Sequence, residues 1–371
     1  MLSAIKNYGL TVALCFVSAA GIPSGEEIMV LGEASGTHLS VDLYGGAFVD
    51  FRLSGQSPNP FSWKVAAEEM PPNNRNGAPF RGHFLCLGRW GAPTEGEMRA
   101  GVPHNGQPGN ATWEVVTHDR DSFLHIRSEA PMDGITVNRR IRFAPASDHA
   151  LFRVSDSVRS RLTVGRLFNV VQHATLGVPF LSTATIIDSN AGAGFMQHRY
   201  IPGRPVDEYA WPIAVMDSTE RKIDLRQTTG SDNYVSTHVF PHDTAWATAA
   251  APDHGLLIGY VWKTADYPFF NLWQDTQHGA PYAKGLEFGT TGIGRPYREL
   301  LEADSRFHGL LSFFYLDAGE EVEKSFIGFL VKIPPDYRGV QSVRISGRYI
   351  VLTEKGDGQR RVIRMENRYT L

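Results

Sequence analysis

Cysteine is scarce in this sequence: Cys15 and Cys86 are the only two among 371 residues. Cys15 lies in an apolar N-terminal run that we expect to be removed, so the remaining chain can form no internal disulfide. Stability must then come from a large apolar core, which a chain of this size with 42% hydrophobic residues can bury. Cys86 follows apolar Phe84 and Leu85, which predicts a buried structural thiol and not a nucleophile.

Charge of one sign is also lacking, because the formal net charge is only -3. This excludes the basic surface of a nucleic-acid-binding protein and offers no single-sign field to steer a charged partner. A neutral or weakly charged ligand is therefore expected. Beyond the N-terminus, no stretch approaches the roughly 20 apolar residues of a membrane-spanning helix.

The first 20 residues have the layout of a secretory signal peptide. Lys6 precedes an apolar run at residues 10–20, which ends in small residues that suit signal peptidase. The run is short for a membrane span. We expect a signal peptide at residues 1–20, a mature chain that begins near Gly21, and export to the periplasm or the extracellular space. A buried N-terminal strand or helix is the alternative.

Sustained helical periodicity is missing, and alternation of apolar and polar residues takes its place from Val41 onwards. A short helical turn is expected only around residues 298–303. Residues 343–352 are predicted to pair with residues 361–365 across a turn at residues 355–358. The other predicted strands are residues 47–53, 113–117, 123–128, 135–143, 151–158, 167–172, 256–262, 269–273, 309–316 and 325–333.

Strands this numerous favour one all-β domain over residues 21–371, a large antiparallel β-sandwich, because one open sheet of that width would expose too much apolar surface. No composition break or fixed repeat indicates a second domain. Long loops rich in Pro and Gly occur at residues 55–79, 90–109 and 191–212. Loops on a rigid β scaffold commonly carry binding residues, although many only connect strands.

Four segments place ionisable residues in strands or beside glycine, and they contain Arg81, His104, His173 and Glu287. In chain order they resemble the galactose mutarotase-like superfamily of aldose 1-epimerases and hexose-6-phosphate mutarotases. Arg81 resembles the start of that family's Arg-Gly-Gly stretch, and His104 resembles the histidine of its Pro-x-His-Gly-Phe loop. His173 matches the histidine of the Asn-His-x-Tyr motif. Glu287 matches the late-strand glutamate.

Departures from the family pattern are visible in the same segments. The Asn-His-x-Tyr motif lacks its tyrosine, because Thr175 occupies that position, and Asn105 interrupts the His-Gly-Phe loop. Residues 316–320 resemble the family's Leu-x-Pro-Gly-Glu turn. Asp217 and Asp232 are the candidates for its sugar-binding aspartate.

The resemblance implies a galactose mutarotase-like sandwich and an aldose 1-epimerase-like isomerase that acts on a free aldose or a sugar reducing end. Anomer exchange needs a base for the anomeric hydroxyl and an acid for the ring oxygen. Glu287 would be the catalytic base and His173 the catalytic acid. His104 and Arg81 would bind substrate oxygens. No metal or organic cofactor is implied, and the partner would be a small or oligomeric carbohydrate.

Other interpretations stay open at this point. The chain could be a non-catalytic carbohydrate-binding or accessory protein of the same fold, or a polysaccharide lyase that uses a cluster at residues 198–200. Each candidate also has a structural alternative: Arg81 as one half of an ion pair, His173 as a satisfied interior histidine, and His104 and Glu287 as solvated surface residues. Trp90, Trp211 and Trp273 fit either a sugar-stacking or a core role. Asn110 begins a glycosylation sequon.

Overall fold

The computed structural model describes residues 27–356, 361–367 and 369–371. The expected signal peptide and the cleavage point near Gly21 lie outside these residues. Strands make up about 49% and helices about 8% of the structure, which confirms the all-β class. The α-helices in the described residues are α1 (Glu95–Arg99) and α2 (Tyr297–Glu302), the latter at the expected turn, and the other helical residues form short 3-10 helices. The strands within the described residues are β1 (Ile28–Gly32), β2 (His38–Asp42), β3 (Ala47–Arg52), β4 (His83–Leu87), β5 (Glu114–Asp119), β6 (Phe123–Ala130), β7 (Ile135–Pro145), β8 (His149–Ser160), β9 (Arg166–Phe168), β10 (Val170–Gly177), β11 (Ile186–Ser189), β12 (Ala193–Met196), β13 (Tyr209–Ala210), β14 (Ile213–Val215), β15 (Lys222–Asp224), β16 (Tyr234–Val239), β17 (Thr244–Ala251), β18 (Leu256–Lys263), β19 (Phe269–Gln277), β20 (Ala280–Gly289), β21 (Phe314–Leu316), β22 (Glu321–Lys332), β23 (Val340–Ser346), β24 (Tyr349–Glu354) and β25 (Val362–Glu366).

Two antiparallel sheets form the body of the fold, as predicted. The ten-stranded sheet has the order β1-β2-β3-β4-β10-β20-β19-β16-β12-β13, and the eight-stranded sheet has the order β11-β17-β18-β22-β8-β7-β6-β5. Two predicted strands differ from the structure. The segment at residues 167–172 is divided between β9 and β10, and the segment at residues 309–316 is strand only from Phe314.

The core lies between the two sheets. Val170, Ala174 and Leu176 of β10 belong to the same buried cluster as Phe326 and Leu330 of β22. Side chains alternate along a strand, so odd-numbered residues of β10 lie on the other face of the ten-stranded sheet. That other face, called the loop face below, carries Phe84, Cys86, His173, Trp273 and Glu287 and is covered by the long loops.

The outer face of the eight-stranded sheet is covered over part of its area by the small sheet β23–β25. Leu257 and Phe329 pack there against Ile350 and Leu352 in a second buried cluster. The predicted single strand at residues 343–352 is wrong, because a tight turn with Gly347 at φ 55° divides it into β23 and β24. The predicted pairing with the last segment is confirmed for β24 and β25.

Candidate active site

His173 and Glu287 meet on the loop face although they are far apart in sequence. They are directly opposed in the register of β10 and β20. The His173 Nε2 and Glu287 Oε1 atoms lie 3.2 Å apart. The same row of the sheet continues through Phe84 on one side and Asn271 on the other. The register of the sheet therefore positions the predicted acid and base, and no mobile loop is needed to bring them together.

The imidazole of His173 is held on three sides. Its Nδ1 bonds the hydroxyl of Thr175 at 2.9 Å, its ring stacks on Phe84 with centroids 4.2 Å apart, and its edge meets Trp273 at 5.9 Å. Burial disfavours the charged imidazolium and lowers the pKa of His173 to about 3. The ring is therefore neutral at neutral pH.

Glu287 is only 1% exposed. Burial raises the pKa of its carboxyl well above the usual range, and an interaction with Trp90 opposes this shift. Its Oε2 atom is buried and has no hydrogen-bond partner among the described residues. A Cβ at Gly285 would lie 2.6 Å from Oε1, so glycine at that position leaves room for the carboxyl. The interpretation of Glu287 as a solvated surface residue is excluded.

Burial disfavours the charged form of each group, so it favours the form of the His173–Glu287 pair in which the carboxyl carries the one shared proton. A carboxylic acid facing a neutral imidazole carries no net charge, which suits a buried site. The proton of the carboxyl then faces Nε2, which accepts it, while Nδ1–H donates to the oxygen of Thr175. Moving that one proton from Oε1 to Nε2 would create a carboxylate base and an imidazolium acid in a single step.

His104 lies on the same side of the sheet and is connected to this pair through two phenylalanine rings. Its ring packs against Phe80, with centroids 6.2 Å apart, and Phe80 stacks on Phe84, which in turn stacks on His173. Burial lowers the pKa of His104 as well. A neutral His104 can donate or accept a hydrogen bond, which suits the expected role in binding a sugar hydroxyl.

Arg81 has a different setting from the one expected. Its guanidinium forms an ion pair with Asp42 of β2 at 2.5 Å, and both side chains are buried. This contact matches the structural alternative for Arg81 and ties the start of β4 to the neighbouring strands. Removing either partner would leave a buried charge uncompensated.

Several other candidates also have structural roles. Tyr200 packs in an apolar cluster with Phe195, whereas His198 bonds the main-chain oxygen of Met216, so residues 198–200 form no acid–base cluster. Cys86 is fully buried, and burial raises the pKa of its thiol well above normal. Trp211 packs on Phe270.

The sequon residue Asn110 and the two candidate aspartates are already engaged. The Nδ2 atom of Asn110, to which a glycan would be joined, donates to the main-chain oxygens of Asn74 and Ala78. Asp217 and Asp232 both bond Arg221, at 3.4 and 2.9 Å. Asp232 lies two residues before the start of β16.

Two site residues were missed by the sequence analysis. Thr175 occupies the place of the missing family tyrosine and bonds His173 directly. Trp63 lies over the sheet, in edge contact with Trp273 at 5.5 Å and 7% exposed, and its indole Nε1 is buried with no partner among the described residues. Thr175 follows His173 by two residues, and residues two apart on a strand lie on the same face, so the sequence could have indicated their contact. A tryptophan within a long loop carries no such signal.

A buried polar network supports the site from the core side. Arg139 makes two 2.8 Å bonds to Asp156, and Gln172 bonds both of these residues and the hydroxyl of Tyr267. Gln172 directly precedes His173, so the network fixes β10 at the point where the imidazole projects. Satisfied networks of this kind rigidify the surrounding structure.

Among the described residues, no group of three or more His, Cys, Asp or Glu side chains could hold a metal ion. No helix in the described part of the chain is long and apolar enough to cross a membrane.

Solved structures of low sequence identity share this fold. A candidate aldose 1-epimerase from Escherichia coli K12 is 15% identical, with a TM-score of 0.57 over 83% of this chain and 100% of that one. A galactose mutarotase related enzyme from Lactobacillus acidophilus is 13% identical, with a TM-score of 0.55 over 83% and 98%. A galactose mutarotase-like protein from Clostridium acetobutylicum is 12% identical, with a TM-score of 0.51 over 83% and 99%. No protein-family model and no curated protein matches the sequence. The chain therefore has the galactose mutarotase-like fold that the sequence resemblance implied.

Proposed function

We propose that the protein is an aldose 1-epimerase-like isomerase that interconverts the anomers of a free aldose or a sugar reducing end. The observation that carries the proposal is the 3.2 Å contact between His173 Nε2 and Glu287 Oε1 on the loop face. Both groups are shielded from water, and one proton placed between them supplies either an acid or a base.

Ring opening needs the proton on His173. With Glu287 ionised, the carboxylate accepts the proton of the anomeric hydroxyl while the imidazolium of His173 donates its proton to the ring oxygen. The bond between the anomeric carbon and the ring oxygen breaks, and the carbonyl of the open-chain aldehyde forms. Glu287 is then protonated and His173 neutral, which is the resting state of the pair.

Ring closure reverses these transfers after the aldehyde has turned its other face. The protonated Glu287 returns its proton to the carbonyl oxygen, and neutral His173 removes the proton of the attacking hydroxyl. The neutral resting form of the pair is therefore the one that reacts with the open-chain aldehyde. The ion-pair form is the one that reacts with the cyclic sugar. The protein needs no net uptake of protons in either direction.

Groups around the pair suit a sugar. The unpartnered Glu287 Oε2 offers a buried acceptor, and the unpartnered Trp63 Nε1–H offers a buried donor. Buried polar atoms without partners favour a ligand that supplies the missing hydrogen bonds. Trp273 and Phe84 add apolar surface for the C–H faces of a pyranose.

A carbohydrate-binding protein without catalysis is the second candidate, and the cluster of Trp63, Trp90 and Trp273 on the loop face favours it. The deciding experiment measures anomer exchange by NMR for a panel of neutral aldoses with wild type and with Glu287→Gln, using exposed Glu323→Gln as the matched control. Loss of the base should lower the rate roughly 10²-fold or more, with binding much less affected. Exchange no faster than buffer for every sugar, with binding retained, would establish the binding protein instead.

Export is part of the proposal and rests on residues 1–20 alone. The first residue of the secreted or periplasmic protein, read by N-terminal sequencing, should lie near Gly21. Recovery of a chain that still begins with Met1 would contradict it.

A further inference from the structure

A cavity on the loop face adjoins the proposed site through Trp273. It has a volume of about 500 Å³. Val235 and Trp273 form its floor, since they are directly opposed on β16 and β19. His198, Met216 and Arg221 contribute to its walls. None of these side chains has a part in the proton transfers described above.

Trp273 separates this cavity from His173 and Glu287. Its indole meets the ring of His173 at 5.9 Å, and it also lines the cavity. Val235, Trp273 and Gly285 follow one another across β16, β19 and β20, and the Glu287 carboxyl lies beside Gly285. Two strand spacings, roughly 10 Å, therefore separate Val235, on the far side of the cavity floor, from Gly285 beside the Glu287 carboxyl. That separation suits adjoining units of one glycan.

We propose that the preferred substrate is the reducing end of a neutral oligosaccharide, with the next sugar unit in the cavity beyond Trp273. This inference rests on the proposed function, because it assigns the substrate class of the same site. Trp273 would contact both sugar units, one on each side of the indole.

The chemistry of the cavity agrees with a sugar unit. An aromatic and aliphatic floor beneath a polar rim matches the apolar faces and hydroxyl edges of a pyranose. His198 bonds Met216 O through Nε2 at 2.8 Å, which fixes the ring at the rim and leaves Nδ1 on its other edge for a hydroxyl.

The charges favour a neutral ligand over a sugar phosphate or a uronate. Arg221 at the rim bonds Asp232 at 2.9 Å and Asp217 at 3.4 Å. Two carboxylates against one guanidinium leave no unbalanced positive charge to attract an anion. A substrate with a negatively charged second unit would be repelled.

The test compares anomer exchange of glucose with that of maltose, cellobiose and maltotriose, under matched conditions with wild-type protein. We expect kcat/KM to be roughly tenfold higher for at least one oligosaccharide, the scale of one added stacking contact. His198→Trp should fill the cavity from its exposed rim and remove that preference. His118→Trp, on the exposed strand β5, is the matched control and should keep it.

Equal kcat/KM for glucose and every oligosaccharide would overturn the inference while leaving the proposed function intact. An oligosaccharide preference that persists in His198→Trp would overturn the assignment to this cavity. If no sugar is exchanged, the proposed function fails, and calorimetric titration with maltotriose and glucose decides the cavity separately. Tighter binding of maltotriose that is lost in His198→Trp supports it, and equal binding overturns it.

Discussion

Asn74 holds the main chain of His104 through both ends of its amide: Oδ1 accepts from His104 N at 2.9 Å, and Nδ2 donates to His104 O at 3.1 Å. Asn74 is fully buried and comes from a different loop. The position of His104 beside Phe80 is therefore set by Asn74, which lies 30 residues earlier in the sequence. The two loops act as one unit.

Replacing His104 should mainly weaken sugar binding. His104→Ala keeps the main-chain bonds to Asn74 and removes only the imidazole, so we expect KM for an accepted sugar to rise several-fold with a smaller change in kcat. Asn74→Ala should instead destabilise the protein by about 1–3 kcal/mol, because two buried main-chain groups lose their partner. Steady-state kinetics and chemical denaturation separate these effects. Equal changes in kcat and KM for His104→Ala would contradict a binding role.

The pH dependence of the rate should be broader than the ordinary pKa values of the two groups would give. A normal carboxyl and a normal imidazole would bound activity between about pH 4.3 and pH 6.5. Here the pair is active while it holds one proton, and that proton belongs to the pair. The pKa of His173 near 3 and the raised pKa of Glu287 move the two limits apart. Anomer exchange measured from pH 4 to pH 8 should show no fall centred at 6.5.

Protein stability should depend on pH with opposite signs for the two residues. Glu287 has a raised pKa when folded, so its contribution is complete below about pH 4.5 and is lost as pH rises. His173 has a lowered pKa, so its contribution is complete above about pH 6.5 and is lost as pH falls towards 3.

Urea denaturation at several pH values tests this dependence. Relative to wild type, Glu287→Gln should gain stability as pH rises from 5 to 8, and His173→Asn should gain it as pH falls from 6 to 4. The limiting slope is about 1.4 kcal/mol per pH unit for one proton. Exposed Glu323→Gln should run parallel to wild type. A Glu287→Gln difference that does not change with pH would mean that the carboxyl is ionised in the folded protein.

Thr175 should act as a positioning residue for His173. Thr175→Val keeps the shape of the side chain but removes the oxygen that accepts from Nδ1–H, so the imidazolium form becomes harder to reach. We expect kcat to fall roughly tenfold, the effect of about 1.4 kcal/mol, with little change in KM. Thr175→Ser should restore most of the rate. A full rate in Thr175→Val would show that the bond has no part in the reaction.

The sequence predicts those strands whose position depends on the local alternation of apolar and polar residues. Alternation along β6 and β7 predicts strands close to the observed ones, because the side chains of each strand are buried and exposed in turn. His173 and Glu287 were identified by family resemblance. That they are opposed in one register is a property of strand order, which the residues of either strand do not determine.

Burial and long-range partners could not be inferred in this way. With ordinary pKa values, Glu287 would be an ionised base and His173 the more basic partner. Desolvation reverses the order of their pKa values. The ion pair of Arg81 depends on Asp42, which lies on a strand that was not predicted. Trp63 belongs to a loop whose course over the sheet has no local sequence signal.

The position of β22 in the eight-stranded sheet limits the order in which the protein can fold during synthesis. β22 lies between β8 and β18, with which it makes its longest pairings, so the middle of this sheet stays open until residue 332 has left the ribosome. A nascent chain that carries β8 and β18 but lacks β22 would present two unpaired strand edges. The centre of this sheet can therefore form only after nearly nine-tenths of the chain has been synthesised.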